Sequence, residues 1–101
     1  MAIASKASAD GSELTINVEG RFDFSSHQEF RNSYENAVVK PKSYSVDFSD
    51  TSYLDSSALG MLLLLRDYAG GDEAKIAIIN CCDDVKKILT VSNFEQLFTI
   101  K

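Results

Sequence analysis

A chain of 101 residues, 45% apolar and 25% charged, supplies one compact core and no material for a second, so residues 1–101 read as one domain. Fifteen acidic against ten basic residues leave a net charge of -5, the wrong sign for capturing nucleic-acid phosphates or docking on an anionic membrane. The longest apolar run, Ala58 to Leu65, falls far short of the roughly 20 residues that cross a bilayer, and Met1 to Asp10 lacks the apolar block of a secretory signal, which points to a cytoplasmic address.

The elements follow in chain order. Leu14, Ile16 and Val18 alternate with Glu13, Thr15, Asn17 and Glu19, predicting a strand with one buried face. The turn dipeptide Asp10-Gly11 precedes it and makes Ile3 to Ala7 the other arm of a hairpin. After Gly20 the period changes. Ser26 with Glu29 reads as a capping box, and Phe30, Tyr34 and Val38 recur at four-residue spacing in a helix that ends near Val39, ahead of Pro41.

Tyr44, Val46 and Phe48 define the next strand, which stops in the polar loop Ser49-Asp50-Thr51-Ser52. A helix opens at Asp55 and stops at Gly70-Gly71. The run Ile76 to Ile79 fits a central strand covered on both faces. Asp83 or Asp84 then caps a helix with Val85, Ile88 and Leu89 inward and Lys86 and Lys87 in solvent. Phe94, Leu97, Phe98 and Ile100 call for a turn and a short final strand. The order β-β-α-β-α-β-α, with a terminal β, implies an α/β fold in which helices pack on a mixed β-sheet. Cys81 and Cys82 are adjacent, unsuited to an ordinary loop-closing disulfide and without the companions of a zinc site, and read as reduced thiols at a strand end.

The segment Asp47 to Gly60 is the richest in chemistry. Strand, loop and helix start meet there with Asp47, Asp50 and Asp55 and no Lys or Arg. Unpaired amides and the positive end of the helix dipole favour an anionic oxygen at Ser56 or Ser57, including a phosphate carried by a serine. Any capped helix shows the same Asp-Ser-Ser pattern, so spacing alone leaves the ordinary cap open. The helix is apolar almost all round. At 100° per residue, Ala58, Leu59, Leu62, Leu65 and Ala69 form a core stripe, while Met61, Leu64 and Tyr68 fall on a flank beside Ser57. That flank either meets the first helix or, beside the bare Gly60, admits another protein close to Ser56.

At Asp55-Ser56-Ser57-Ala58-Leu59-Gly60, preceded by Val46-Asp47-Phe48, the sequence resembles the bacterial anti-sigma factor antagonists and the wider STAS domain family. Val18-Glu19-Gly20-Arg21-Phe22-Asp23, the strand from Ile76 to Asn80 and the helix from Val85 to Leu89 extend the resemblance over most of the chain. It implies a STAS-like fold and places a phosphoacceptor at Ser56. It further implies a serine kinase of the anti-sigma type that modifies Ser56 and a metal-dependent serine phosphatase that reverses this. On the same resemblance, the unmodified form is expected to bind its partner and the phosphorylated form to release it. Asp23 corresponds to the loop beside that serine, and with Asp55, Ser57, Gly60, Met61 and Leu64 it makes up the expected partner contacts. Ala58 stands where the family more often has Gly, which strengthens the helix by about 1 kcal/mol. The family's carboxy-terminal helix is expected to be shortened or missing.

Other readings have less support. A hydrolase using Ser56 lacks a Gly-x-Ser-x-Gly elbow, and the one histidine, His27, falls in the first turn of a different helix. No Gly-rich phosphate loop points to a small-molecule or nucleotide substrate or to a cofactor, and Asp83-Asp84 is too sparse for a metal cage. A constitutive scaffold that presents the Met61, Leu64 and Tyr68 flank without any phospho-switch is the alternative to the switched binding protein.

Overall fold

The computed structural model describes residues 2–36 and 40–101. β1 (Ala2–Ala7) and β2 (Glu13–Phe22) form the hairpin, α1 is His27–Glu35, and β3 (Ser43–Asp47) and β4 (Thr51–Leu54) precede α2 (Ser56–Ala69). β5 (Ile76–Ile79), α3 (Asp83–Val91) and β6 (Thr99–Ile100) complete the order. The sheet runs β1-β2-β3-β5-β6, with β4 paired to β2. β1 is antiparallel to β2, and every other pair is parallel, so the sheet is mixed, as expected.

Register explains the core. Leu14 faces Tyr44, which faces Ile76, and one step along Ile16 faces Val46, which faces Ile78. These six residues are buried, because in-register alternation puts all of them on one side of the sheet. The opposite row, Thr15, Ser45 and Ala77, is half-buried. β5 is therefore covered fully on one face only, with Ile76 and Ile78 buried and Ala77 and Ile79 half-buried, which corrects the expectation of cover on both.

The hairpin turn is organised by Asp10. Its carboxylate accepts bonds from the Ser12 hydroxyl at 2.7 Å, the Ser12 amide at 3.0 Å and the Ser8 hydroxyl at 2.9 Å, and these hold its pKa down at about 2. Gly11 supplies the positive φ of 75° that the turn requires.

The strand β4 was not foreseen where the sequence suggested a loop. Thr51 and Leu54 are buried and the two residues between them exposed, a pattern without strict alternation. β2 runs on past Gly20 to meet it, with Gly20 opposite Thr51, Arg21 opposite Tyr53 and Phe22 opposite Leu54, and the register shifts between Gly20 and Arg21. Gly20 takes a φ of 82° at that irregularity. Two further bonds lock the pairing: the Gly20 amide donates to Asp50 carbonyl at 2.9 Å, and the buried Thr51 hydroxyl donates to Val18 carbonyl at 2.7 Å.

Two caps also differ from expectation. Ser26 stands before α1 but its hydroxyl reaches the Arg21 carbonyl at 3.4 Å, and the capping side chain is Asp23, which opens a 3-10 turn over Phe24–Ser26. Cys82 occupies the N-cap of α3, while Asp83 and Asp84 sit in its first turn, where their charge suits the helix dipole. The end of the first helix near Val39, and Val38 with it, lies outside the described residues. Ile88 is half-buried beside buried Val85 and Leu89, with Lys86 and Lys87 exposed.

Replacing Thr51 by Val keeps the shape and removes the donor to Val18. Urea unfolding of Thr51→Val is expected to show a loss of about 1–3 kcal/mol, whereas an unchanged midpoint would mean that the bond does not anchor β4.

Candidate functional site

Because Phe22 and Leu54 are register partners on neighbouring parallel strands, the residues that follow them, Asp23 and Asp55, leave the sheet side by side. Each has extended backbone, with φ -136° and ψ -172° at Asp23 and φ -121° and ψ -174° at Asp55, and each caps the helical segment after it. Buried aromatic rings floor the site. Phe22 packs on Phe30 at 4.9 Å and on Phe48 at 5.8 Å between centroids, contacts worth about 0.5–1.5 kcal/mol each beyond their burial.

The two serines at the start of α2 are not equivalent. Ser57 is half-buried, and its hydroxyl donates to Asp55 Oδ1 at 2.6 Å, the same oxygen that accepts the Ala58 amide at 3.1 Å. Ser56 is exposed, and among the described residues no hydrogen bond holds its hydroxyl. The geometry thus separates a serine engaged in capping from one open to a reacting group.

Electrostatics follow from these contacts. The Ser57 hydroxyl is the main cause of a lowered Asp55 pKa, helped by the Ala58 and Ser57 amides and opposed by desolvation and, to a smaller extent, by the neighbouring Asp23. Asp23 is lowered first by the Ser25 hydroxyl, then by the Ser25 amide and Arg21. Partial burial pushes Asp47 up, but bonds from Ser49 and Asn80 outweigh it and leave its pKa below the usual value. The Arg21 guanidinium lies 3.6 Å from Asp23 and 4.4 Å from the centre of the Tyr53 ring. A cation is therefore next to this acidic cluster, although the 47–60 window contains none.

Along α2, the side that carries Ser56 continues through exposed Gly60 to Leu63 and Leu64, which are 42% and 50% exposed. A Cβ added at Gly60 would meet nothing. Met61 is only 3% exposed and belongs to the core, which removes it from the expected flank. It turns inward with Ala58, Leu62 and Leu65, because α2 buries a wider arc than the narrow stripe assumed from spacing. Tyr68 stays partly exposed, with its ring 5.1 Å from that of Tyr34. The first helix therefore covers part of the flank.

The sequence reading missed Leu63, Phe24 and Tyr53. Leu63 could have been found, since it lies seven residues after Ser56 and hence above it on the helix. Phe24, 74% exposed and stacked on His27 at 5.8 Å, breaks every periodicity and was marked only by its place after Asp23. Tyr53 could not be placed without β4. No hydrogen bond joins His27 to Ser56 among the described residues, no group of three or more metal-ligating side chains occurs among them, and none of their helices is long and apolar enough to cross a membrane.

Replacing Asp55 by Ala should destabilise the fold by about 0.5–2 kcal/mol at neutral pH, as loss of an N-cap does. A carboxylate whose pKa is depressed on folding stabilises above its unfolded pKa and loses that contribution as pH falls through the folded value. The gap between the two proteins in chemical denaturation should therefore narrow on acidification below the ordinary Asp range, and a gap that stays constant with pH would contradict the ionised cap.

Comparison with known proteins adds four findings. A family model described as Mlab, STAS domain matches residues 5–99. A STAS-domain containing protein of Pseudomonas aeruginosa strain UCBPP-PA14 is 60% identical over 100 residues, which is 99% of each chain. The anti-sigma factor antagonist SpoIIAA in its unphosphorylated form superposes with a TM-score of 0.75 at 16% identity, over 99% of this chain and 87% of that one. The Bacillus cell fate determinant SpoIIAA in the phosphorylated form gives 0.70 at 16% identity, over 99% of this chain and 91% of that one. At such identity these structures speak for the fold alone.

Proposed function

The chain belongs to the STAS domain family, and on that premise we propose that it is a regulatory binding protein of the anti-sigma factor antagonist type, switched by phosphorylation of Ser56. The unmodified surface holds a partner serine kinase of the anti-sigma type. Modification of Ser56 by that kinase releases it, and a metal-dependent serine phosphatase restores binding. The observation that carries this reading is the difference between the two serines: Ser57 is tied to Asp55, while Ser56 stands exposed at the start of α2 on the side that leads to Gly60, Leu63 and Leu64.

A phosphate adds about -1.5 to -2 charge. Within the protein, the amino end of α2 favours that charge by roughly 0.3–2 kcal/mol, and Asp23 and Asp55 oppose it. The fold is therefore kept. Across an interface packed over Ser56, Leu63 and Leu64, the same dianion must be desolvated against an apolar or acidic partner surface, at a cost of several kcal/mol. Each 1.4 kcal/mol lowers affinity about tenfold. On this reading Asp23 is a rim contact, and Gly60 is the place where a partner reaches the helix backbone.

The exposed Phe24, Leu63 and Leu64 also suit a constitutive scaffold without a switch. Affinity capture followed by titration separates the two. Ser56→Ala should bind the captured partner like the unmodified chain and Ser56→Asp should bind at least about tenfold more weakly. Gly60→Ala should stabilise the isolated protein by about 1 kcal/mol while weakening the complex. Equal binding by all three variants, with loss only in Leu64→Ala, would assign the chain to the scaffold reading.

A further inference from the structure

We propose that Cys81 and Cys82 form a dithiol site for trivalent arsenic, separate from the switch at Ser56. The two residues fill the joint between the end of β5 and the start of α3. Asn80 enters this joint with a φ of 60°, and Cys82 leaves it extended, with φ -68° and ψ 166°. Both thiols are free; Cys82 is exposed and Cys81 is half-buried against the core. A reagent meets Cys82 first and finds a second thiol on the preceding residue, Cys81.

Three observations select the chemistry. Neighbouring Cα atoms are about 3.8 Å apart across an ordinary peptide bond, closer than the roughly 4.4 Å at which unstrained disulfides begin. An atom inserted between the two sulfurs leaves that spacing unchanged but enlarges the ring it closes, which relieves the strain of a direct S–S bond. Burial raises the Cys81 pKa, with Cys82 and Asp47 adding to the rise and Lys86 opposing it. A thiol kept protonated is a poor partner in disulfide exchange. Finally, Asp83 and Asp84 follow at once, and with Asp47 they disfavour anionic reagents such as glutathione disulfide. Arsenous acid and monosubstituted trivalent arsenicals are uncharged at neutral pH.

The reaction is a condensation. Two As–OH bonds break and two As–S bonds form, each S–H proton leaving with a hydroxide as water. Arsenic stays trivalent and neither sulfur is oxidised, so no oxidant is required.

The test treats the full chain with one equivalent of phenylarsine oxide and reads the intact mass. One adduct is expected, formed with loss of one water, resistant to an excess of a monothiol and removed by a dithiol. Arsenite in place of the organic reagent should give the corresponding adduct with loss of two waters, which separates inorganic from organic sources. Cys82→Ser, at an exposed position, and Cys81→Ser should each lose the monothiol-resistant adduct, with circular dichroism reporting whether each variant is folded. Resistance retained in a folded single variant would overturn the proposal, as would an adduct that the monothiol strips from the unmodified chain. So would an internal disulfide, two hydrogens lighter, formed with glutathione disulfide by a chain that does not take the arsenical.

Discussion

The pairing of β4 with the last residues of β2 is the constraint on which the rest of the site depends. It is a short contact, three register pairs with an irregularity at Gly20, yet it fixes two chain exits at once. Beyond Phe22 and Leu54 the chain must turn into helix on both strands, and an aspartate at each exit satisfies the amides that begin the turn. Without this pairing, Asp23 and Asp55 would be caps on unrelated loops. With it they are neighbours, close enough for Asp23 to oppose the ionisation of Asp55.

On the proposed reading, that arrangement also separates structure from signal. The polar groups that hold the helix start are Asp55, Ser57 and the Ala58 amide, and the hydrophobic ones are Phe22, Phe30, Phe48 and Leu54, all buried. Ser56 belongs to neither set. Under the proposed switch, a charge placed on it would change what a partner meets without removing a bond the fold uses, so modest electrostatic terms inside the protein would coexist with a large term across the interface. Gly60 fits the same division, because the packing around it leaves room for a Cβ that the chain does not carry.

Much of this was legible in the sequence, and the exceptions have physical causes. Strict alternation in Leu14, Ile16 and Val18 and in Tyr44, Val46 and Phe48 was enough to find β2 and β3, and Asp55 with Gly70 bounded α2 correctly. β4 was hidden because its four residues bury their ends and expose their middle, a pattern set by a partner strand distant in sequence. Ser26 holds the N-cap position of the first helix as the spacing implied, but its hydroxyl makes no capping bond, because the side-chain cap has moved to Asp23 at the start of the 3-10 turn that leads into the helix. Met61 was assigned to the surface because helical spacing gives directions without the width of the buried arc, which depends on what packs against it. Asp23 entered the site by family resemblance, and the β2 and β4 register supplies the physical reason for its position.

The most direct measurement is amide hydrogen exchange on the unmodified protein and on protein phosphorylated at Ser56, read along β2, β4 and α2. A charge switch on a preserved scaffold requires matching protection in Gly20–Phe22, in Thr51–Leu54 and in α2 beyond its first turn, with differences confined to the amides around Ser56. Loss of protection through β4 or along α2 on phosphorylation would contradict it, since the signal would then travel by unfolding the pairing that builds the site.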